Sequence, residues 1–336
     1  MDMVIDPLFL VTDYNGLEAI LKEMFEDRLV IDAKEHPIML TEPSLHNKEH
    51  RMRLTSFFFE KYQVPALYIS KSSVLSAFSC SRSTALVLES GANTTYAVPV
   101  HDGYALQASM LKYDIGGNYL TDRVEKVLSE RGIRILPRYA FQKKVENGET
   151  IIKEIDCPNT MASFDAFSRR EIVRDVKESL LSLTVETAME ITDAKQTHYD
   201  LPDGTKVDLE AQAKKIPEDM FSPIAEVSGF MGIQKMVSES IGRTDLDIRK
   251  DLYNNIVVSG GNTLISGFVE RVQKLVPEIT LPNVKVKVIA HMPTERRFSS
   301  WIGGSILSSL GSFQQMWMSK QEFDEHGAIM IERKCA

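Results

Sequence analysis

The sequence predicts an α/β protein, helices packed on a mainly parallel sheet, and three observations carry that prediction. Helical and strand patterns alternate through the opening third of the chain. An apolar strand runs into a Gly-Gly pair with a helix behind it at Ile256-Val-Val-Ser-Gly-Gly-Asn-Thr263, and the same theme reads again at Trp301-Ile-Gly-Gly-Ser305. The 43% hydrophobic content of a 336-residue chain suffices for real cores in two domains of ordinary size.

Taken in order, Leu17, Ile20, Leu21, Met24 and Phe25 recur at helical spacing, His36-Pro-Ile-Met-Leu-Thr41 reads as a strand, and 47–62 is helical again. Ala66-Leu-Tyr-Ile-Ser70 is a short buried strand, and Val74, Leu75 and Phe78 mark a short helix. Ala85–Glu89 and Thr94–Val100 form a hairpin around a tight Ser90-Gly91-Ala92-Asn93 turn, with a strand at Tyr104–Lys112 after it. A helix follows Gly116-Gly117, with Leu120, Val124, Val127 and Leu128 on one face and Gly132 at its end. Residues 134–168 fit no period; two prolines and Asn147-Gly148 mark an insertion or surface excursion. A helix resumes at Arg170–Leu180, and Tyr199–Leu209 is a hairpin turning on Pro202-Asp203-Gly204. The helix after Gly260-Gly261 carries Phe268, Val272 and Leu275.

Composition excludes several functions. With 39 Lys+Arg against 47 Asp+Glu the formal charge is -8, so the surface offers no general attraction for phosphate backbones or anionic membranes, and strong direct nucleic-acid binding is not expected. Cys80, Cys157 and Cys335 are scattered, which argues for a reducing compartment and against a disulfide framework or zinc site. No apolar run approaches the roughly 20 residues of a membrane span, and residues 1–30 lack a signal-peptide layout. No dense Lys/Arg cluster stands out as an import signal.

Two backbone features are candidates for anion or ligand binding. The Ser90–Asn93 turn has residues that tolerate positive φ, so successive N–H groups can converge on an anion; an ordinary hairpin turn is the alternative. Gly260-Gly261 removes side chains where a flat ligand could lie against backbone, with a helix N-terminus behind it. Neither matches a G-x-x-x-x-G-K-[ST] or a G-x-G-x-x-G spacing. Lys177 and Glu178 lie in a charged helix, where the bland reading is a solvated face with local ion pairs. The seven histidines show no H-E-x-x-H spacing, no G-x-S-x-G elbow is present, and Phe57, Phe58, Phe59, Phe313 and Trp317 read as core or groove lining.

Together these segments resemble the actin family. The tail Glu295-Arg-Arg-Phe-Ser-Ser-Trp-Ile-Gly-Gly-Ser-Ile-Leu-Ser-Ser-Leu310, with Ser312-Phe-Gln-Gln-Met-Trp-Met-Ser-Lys-Gln-Glu322 and Arg333-Lys-Cys335, is similar to that family's C-terminus nearly residue for residue. Leu120-Thr-Asp122, Glu130-Arg-Gly132, Arg170-Glu-Ile-Val-Arg-Asp-Val-Lys-Glu178 and Asp247-Ile-Arg-Lys-Asp-Leu-Tyr253 are similar as well. The likeness covers almost the whole chain outside 134–168. That excursion, with Val100-His-Asp-Gly-Tyr104, Gly260-Gly-Asn-Thr-Leu264 and Glu295–Trp301, most resembles the family's nuclear actin-related branch. The resemblance implies an actin-like ATPase-domain (ribonuclease H-like) α/β fold, two domains around a nucleotide cleft, with the first domain incomplete. Residues 1–80 and 299–336 would be the remnant of the small domain, and 81–298 the large domain with its insertion at 134–168.

By the same resemblance, the Ser90-Gly91 turn is the family's second phosphate loop, and Gly117, Lys177, Glu178, Gly260 and Gly261 fall on positions that hold the nucleotide. The chain departs from the family where hydrolysis would be done: Glu89 stands for an Asp that organises magnesium, Ser72 for the Gln that helps place water, and Tyr96 for a His. Because a misplacement of about 1 Å can cost roughly a hundredfold, the resemblance implies weak or absent ATP binding, no catalytic metal and no enzymatic turnover. The family's opening Asp-x-Gly hairpin finds no match in residues 1–50, so the expected form is N-terminally truncated and folds poorly alone through an exposed strand edge. The implied role is a nuclear architectural subunit of chromatin-remodelling (SWI/SNF, BAF-type) and histone acetyltransferase complexes. Its expected partners are nuclear actin and a helical scaffold segment of a remodeller ATPase or acetyltransferase complex; the competing reading is an ATP-hydrolysing or filament-forming cytoskeletal protein.

Overall fold

The computed structural model describes residues 11–45, 47–146, 149–184 and 197–335. The Asn147-Gly148 turn and the first ten residues of the N-terminal reading lie outside them. Among the described residues no helix is long and apolar enough to cross a membrane.

The opening third folds as helix α1 (Tyr14–Lys22), strand β1 (Ile38–Glu42), helix α2 (Lys48–Ser56), strand β2 (Ala66–Lys71) and helix α3 (Ser72–Ser79). Asp13 starts α1 by accepting the Asn15 amide at 3.0 Å, and Asn47 starts α2 by accepting that of His50 at 3.0 Å. Both helices widen into π-helical turns, at Glu23–Leu29 and Phe57–Lys61, so the expected helices at 17–25 and 47–62 each end in a looser coil.

Next come β3 (Ala85–Ser90), β4 (Thr95–His101), β5 (Tyr104–Ala105) and β6 (Leu111–Tyr113). The strand expected over Tyr104–Lys112 is thus two short strands, split by a 3₁₀ turn at Gln107–Ser109. After α4 (Gly117–Glu130), the stretch 134–168 is more ordered than its composition suggests. It holds an antiparallel hairpin, β7 (Phe141–Glu146) with β8 (Glu149–Glu154), and the first turns of α5 (Ala162–Leu180). That helix therefore starts before the Arg170 expected from sequence. Exposed Met161, Phe164 and Phe167 hid its beginning, because a helix in water on most sides shows no apolar stripe facing a core.

The chain continues through β9 (Tyr199–Asp200), β10 (Lys206–Val207), α6 (Gln212–Glu218), α7 (Ile233–Gly242), α8 (Leu246–Asn254), β11 (Ile256–Ser259), α9 (Phe268–Glu278) and β12 (Val288–Ala290). It ends with α10 (Pro293–Arg296), α11 (Ser299–Ser308), β13 (Met318–Ser319), α12 (Lys320–His326) and α13 (Ile331–Lys334).

Two sheets carry the fold. In the first, β1 and β2 run parallel and β13 pairs antiparallel with β2. In the second, β12, β11 and β3 are parallel neighbours, β4 is antiparallel to β3, and β5 and β6 both pair with β4. The first core gathers Phe25, Phe58, Phe59, Leu67 and Ile69 with Leu307, Phe313, Met318 and Ile331 from the end of the chain. Phe313 belongs to this interior, edge-on to Tyr68 at 4.8 Å and Trp317 at 5.1 Å, and does not line a groove. The second core is the larger. Along β3, Leu86 and Leu88 face it together with Ile115, Leu120 and Val176, whereas Val87 faces a thin layer shared with Val74 and Ala77 of α3.

The two cores are joined through α3 and α11. Trp301-Ile-Gly-Gly-Ser305, expected to end a strand, is instead the interior of α11. A Cβ on Gly303 would fall 1.8 Å from the Leu75 carbonyl oxygen, so the glycine exists to let the two helix backbones meet. A strand–Gly-Gly–helix pattern and a small-residue helix contact are the same letters in sequence. Only the facing helix tells them apart.

The C-terminus is fastened by charge. The Arg51 guanidinium, 2% exposed, pairs with Glu42 of β1 and reaches Glu332 of α13 at 3.3 Å. Gly303→Ala should destabilise the protein by about 3 kcal/mol, the upper range for overpacking a closed interior. Urea unfolding would read it as a lowered midpoint, and an unchanged midpoint would contradict this helix contact.

Candidate functional site

The turn between β3 and β4 meets the loop after β11 at one point. Gly260 has φ +96, and a Cβ there would lie 2.2 Å from the Ser90 carbonyl oxygen. Only glycine allows this approach, which places Gly261 and Asn262 directly beside the turn.

A chain of hydrogen bonds then fixes the Thr95, Ser90 and Asn262 side chains along the seam. The Thr95 hydroxyl donates to the Ile115 carbonyl at 2.6 Å, leaving the Thr95 oxygen to accept from Ser90, 2.8 Å away. Ser90 Oγ in turn accepts from the Asn262 side-chain amide at 2.9 Å. With its nitrogen committed, Asn262 turns its carbonyl oxygen toward Gly117, and among the described residues that buried acceptor has no donor.

The N-terminus of α4 docks on the same turn. Gly117 N–H donates to Gly91 O at 2.9 Å, Asn118 N–H to Ala92 O at 2.6 Å, and the Asn118 side chain to Asn93 Oδ1 at 2.6 Å. The turn's own amides at Ala92 and Asn93 keep no backbone partner among the described residues.

These elements enclose a cavity of about 490 Å³. Its walls are Gly91 and Ala92 of the turn, Gly117 and Asn118 of α4, Arg174, Lys177 and Glu178 of α5, the loop residues Gly261, Asn262, Leu264 and Ile265, and Arg297 beyond α10. Of the residues singled out in sequence, Gly91, Gly117, Lys177, Glu178 and Gly261 come together on this wall. Ser90, fully buried, and Gly260 stand behind it as supports. Sequence reading singled out Ala92 only as part of the Ser90–Asn93 turn, and missed Asn118, Arg174, Asn262, Leu264, Ile265 and Arg297. Arg174 was legible, because it lies one helical turn before Lys177 and Glu178; Asn262 follows Gly261 directly.

Lys177 is not on a solvated face, contrary to the bland reading of its helix. It is 6% exposed, and its ammonium donates to Gly117 O at 3.2 Å. Burial pushes its pKa below the usual lysine range, with Arg174 and Arg170 acting in the same direction against Glu178 and Glu171. Glu178 stays half-exposed, 3.8 Å from Arg174. The wall therefore carries three cationic side chains and one carboxylate, a setting that favours an anionic ligand.

Behind the same turn lies a smaller chamber of about 200 Å³, which shares Gly91 and Ala92 with the first and is lined also by Glu42, Ser72, Glu89, Thr94 and Tyr96. The Ser72 hydroxyl donates to Glu89 Oε2 at 2.7 Å. Burial raises the Glu89 pKa, and the Ser72 hydrogen bond only partly opposes it. Burial also carries Tyr96 up to about 12, helped by the charges of Glu89 and Asp114 and opposed by Thr94. The turn thus separates a cationic cavity from an acidic one. Among the described residues no group of three or more His, Cys, Asp or Glu side chains could hold a metal ion. A larger groove, about 580 Å³, runs beside α1; of its charged lining, Glu18 pairs with Lys61 and Lys22 with Glu26.

A two-core α/β protein with a glycine-walled anion cavity between β3, β11 and the α4 N-terminus is the class that this architecture defines. The sequence model of the family described as Actin matches residues 9–336, and the chain belongs to the actin family. Actin-related protein 4 of Oryza sativa subsp. indica is 43% identical over 340 residues, covering 97% of this chain and 77% of that protein. Actin-related protein 4 of Arabidopsis thaliana is 41% identical over 342 residues, covering 97% of this chain and 78% of its own. Both relatives lie in the actin-related branch.

The sign of the Glu89 shift sets a pH dependence. Its folded pKa lies above the ordinary 4.5, so ionising the buried carboxyl costs stability that is absent below about that pH and is incurred in full once the pH exceeds the folded value. Glu89→Gln, which still accepts from Ser72, should raise the melting temperature at pH 8 and lose that advantage toward pH 4. Paired thermal melts across this range would show it, and an advantage independent of pH would rule out the buried carboxylate as the cause.

Proposed function

We propose that the protein is an architectural actin-related subunit of nuclear chromatin-remodelling complexes (SWI/SNF, BAF-type) and histone acetyltransferase complexes, and that it works without turning over ATP. The observation that carries this reading is the Ser72–Glu89 hydrogen bond on the acidic side of the turn. Resemblance to the family assigns that side to the magnesium-organising carboxylate and the water-placing side chain. Here the two substituted residues satisfy each other, and burial disfavours the charged carboxylate. A carboxyl held in that way is a poor organiser of a cation and its waters.

The cationic cavity supports ATP binding apart from turnover. Arg174, Lys177 and Arg297, with the Ala92 amide, would hold phosphate oxygens, and Leu264 and Ile265 beside Gly261 offer an apolar wall. When bound, the nucleotide would supply charge that Lys177 lacks a counter-ion for, which stabilises the closed seam around Gly260. Partner docking is supported by Ile306 in the last turn of α11 and Leu310 just beyond its end, 43% and 44% exposed, with exposed Met316 further on. Such a row suits the apolar side of a scaffold helix, as the family resemblance implies alongside nuclear actin.

Affinity purification of the tagged protein from nuclear extract, with mass spectrometry of its partners, should recover actin together with a remodeller ATPase or acetyltransferase scaffold. Recovery of chaperones alone would overturn the architectural reading. A fluorescent ATP analogue should bind without phosphate release above buffer, and Lys177→Ala should weaken binding about tenfold, as expected for losing one hydrogen-bonding charge. Sustained phosphate release by the unmodified protein would favour the ATP-hydrolysing reading instead.

A further inference from the structure

The cavity holds a lysine with the surroundings of a nucleophile. Lys177 is the one lysine on the wall among the described residues, and its side chain is enclosed by α5, the α4 N-terminus and the loop after β11. Its nitrogen has a single oxygen partner, the Gly117 carbonyl at 3.2 Å, and no ion pair joins it to a carboxylate among the described residues. Glu178, the nearest acid in sequence, lies toward Arg174. A lysine in a dry pocket beside other cations gives up its proton more readily than one in water, and the free amine is what attacks carbonyl carbon. Arg174, Arg297 and Ala92, whose amide keeps no backbone partner among the described residues, share this wall and stand ready for an anionic group on the attacking molecule.

We propose that Lys177 is a site of covalent modification, forming an imine with small aldehydes that carry a phosphate group. In the step, the uncharged Lys177 amine adds to the aldehyde carbon, the carbinolamine loses one water, and a C=N bond replaces the C=O bond. The phosphate sits on the arginines and the Ala92 amide, while the carbonyl faces the amine. The modification removes the cavity's buried cation and fills its volume, so it competes with any other phosphate-bearing ligand. This inference rests on the reading of the cavity as a phosphate-binding site; it does not require that the natural ligand be ATP.

The test uses pyridoxal 5′-phosphate on the full chain at neutral pH, trapping with borohydride, which delivers hydride to the imine carbon and leaves a stable secondary amine. Peptide mass spectrometry then follows each lysine over time. Lys177 should be modified at least tenfold faster than exposed Lys126 and Lys250, and pyridoxal without the phosphate should lose that advantage. Lys177→Arg should abolish the fast phase with an unchanged circular dichroism spectrum. Labelling of Lys177 no faster than of Lys126, or equal labelling by pyridoxal, would overturn the proposal. Excess ATP should protect Lys177. Fast labelling that ATP leaves untouched would sink the nucleotide reading and keep this one.

Discussion

Gly260 pressed against the Ser90 carbonyl is the contact on which the rest of the site depends. It brings the end of β11 within reach of the end of β3, and everything functional in the cavity hangs from those two strand ends. The parallel pairing of β11 with β3 aligns Ser259 with Glu89, so the loops that follow leave the sheet side by side. Ligand sites at the carboxyl ends of sheet strands are the general consequence of this arrangement. The Thr95–Ser90–Asn262 relay then removes the remaining freedom, because each hydroxyl has one proton to give and each gift dictates the next.

A second consequence is electrical. One peptide turn, Gly91-Ala92, forms a wall common to two chambers of opposite sign. On one side Arg174, Lys177 and Arg297 outnumber Glu178; on the other Glu42 is already paired with Arg51 and Glu89 faces no cation on the chamber's lining. A thin backbone wall insulates poorly, so anion binding on the first side and protonation of Glu89 on the second are coupled through a short distance of low dielectric. Ser72 and Glu89 lie within that coupling: their mutual hydrogen bond ties the partly buried carboxyl to the start of α3.

Much of the fold was legible. The hairpin around residues 90–93, the helix after Gly116-Gly117 and the strand before Gly260-Gly261 all declare themselves through period and turn chemistry, which are local properties. What failed were elements whose identity depends on a distant neighbour. The Gly303-Gly304 pair reads as a turn until α3 is placed against it. The first turns of α5 read as excursion because their apolar residues face outward, and Phe313, read as core or groove lining, is placed in the core only by its packing on Tyr68 and Trp317.

By itself the sequence determined the class of the protein, its family likeness and the backbone positions of Gly91, Gly117, Gly260 and Gly261, since glycine and turn patterns act over a few residues. Only the tertiary structure decided what the polar residues do. Lys177 and Glu178 are adjacent in one charged helix, yet one is buried in a cavity wall and the other half-exposed, because α4 covers a single side of α5. Likewise Ser72 and Glu89, on different elements, become partners only when α3 and β3 pack together. Burial and pairing are relations between segments far apart in the chain, and those relations set both the charge state and the reactivity of a side chain.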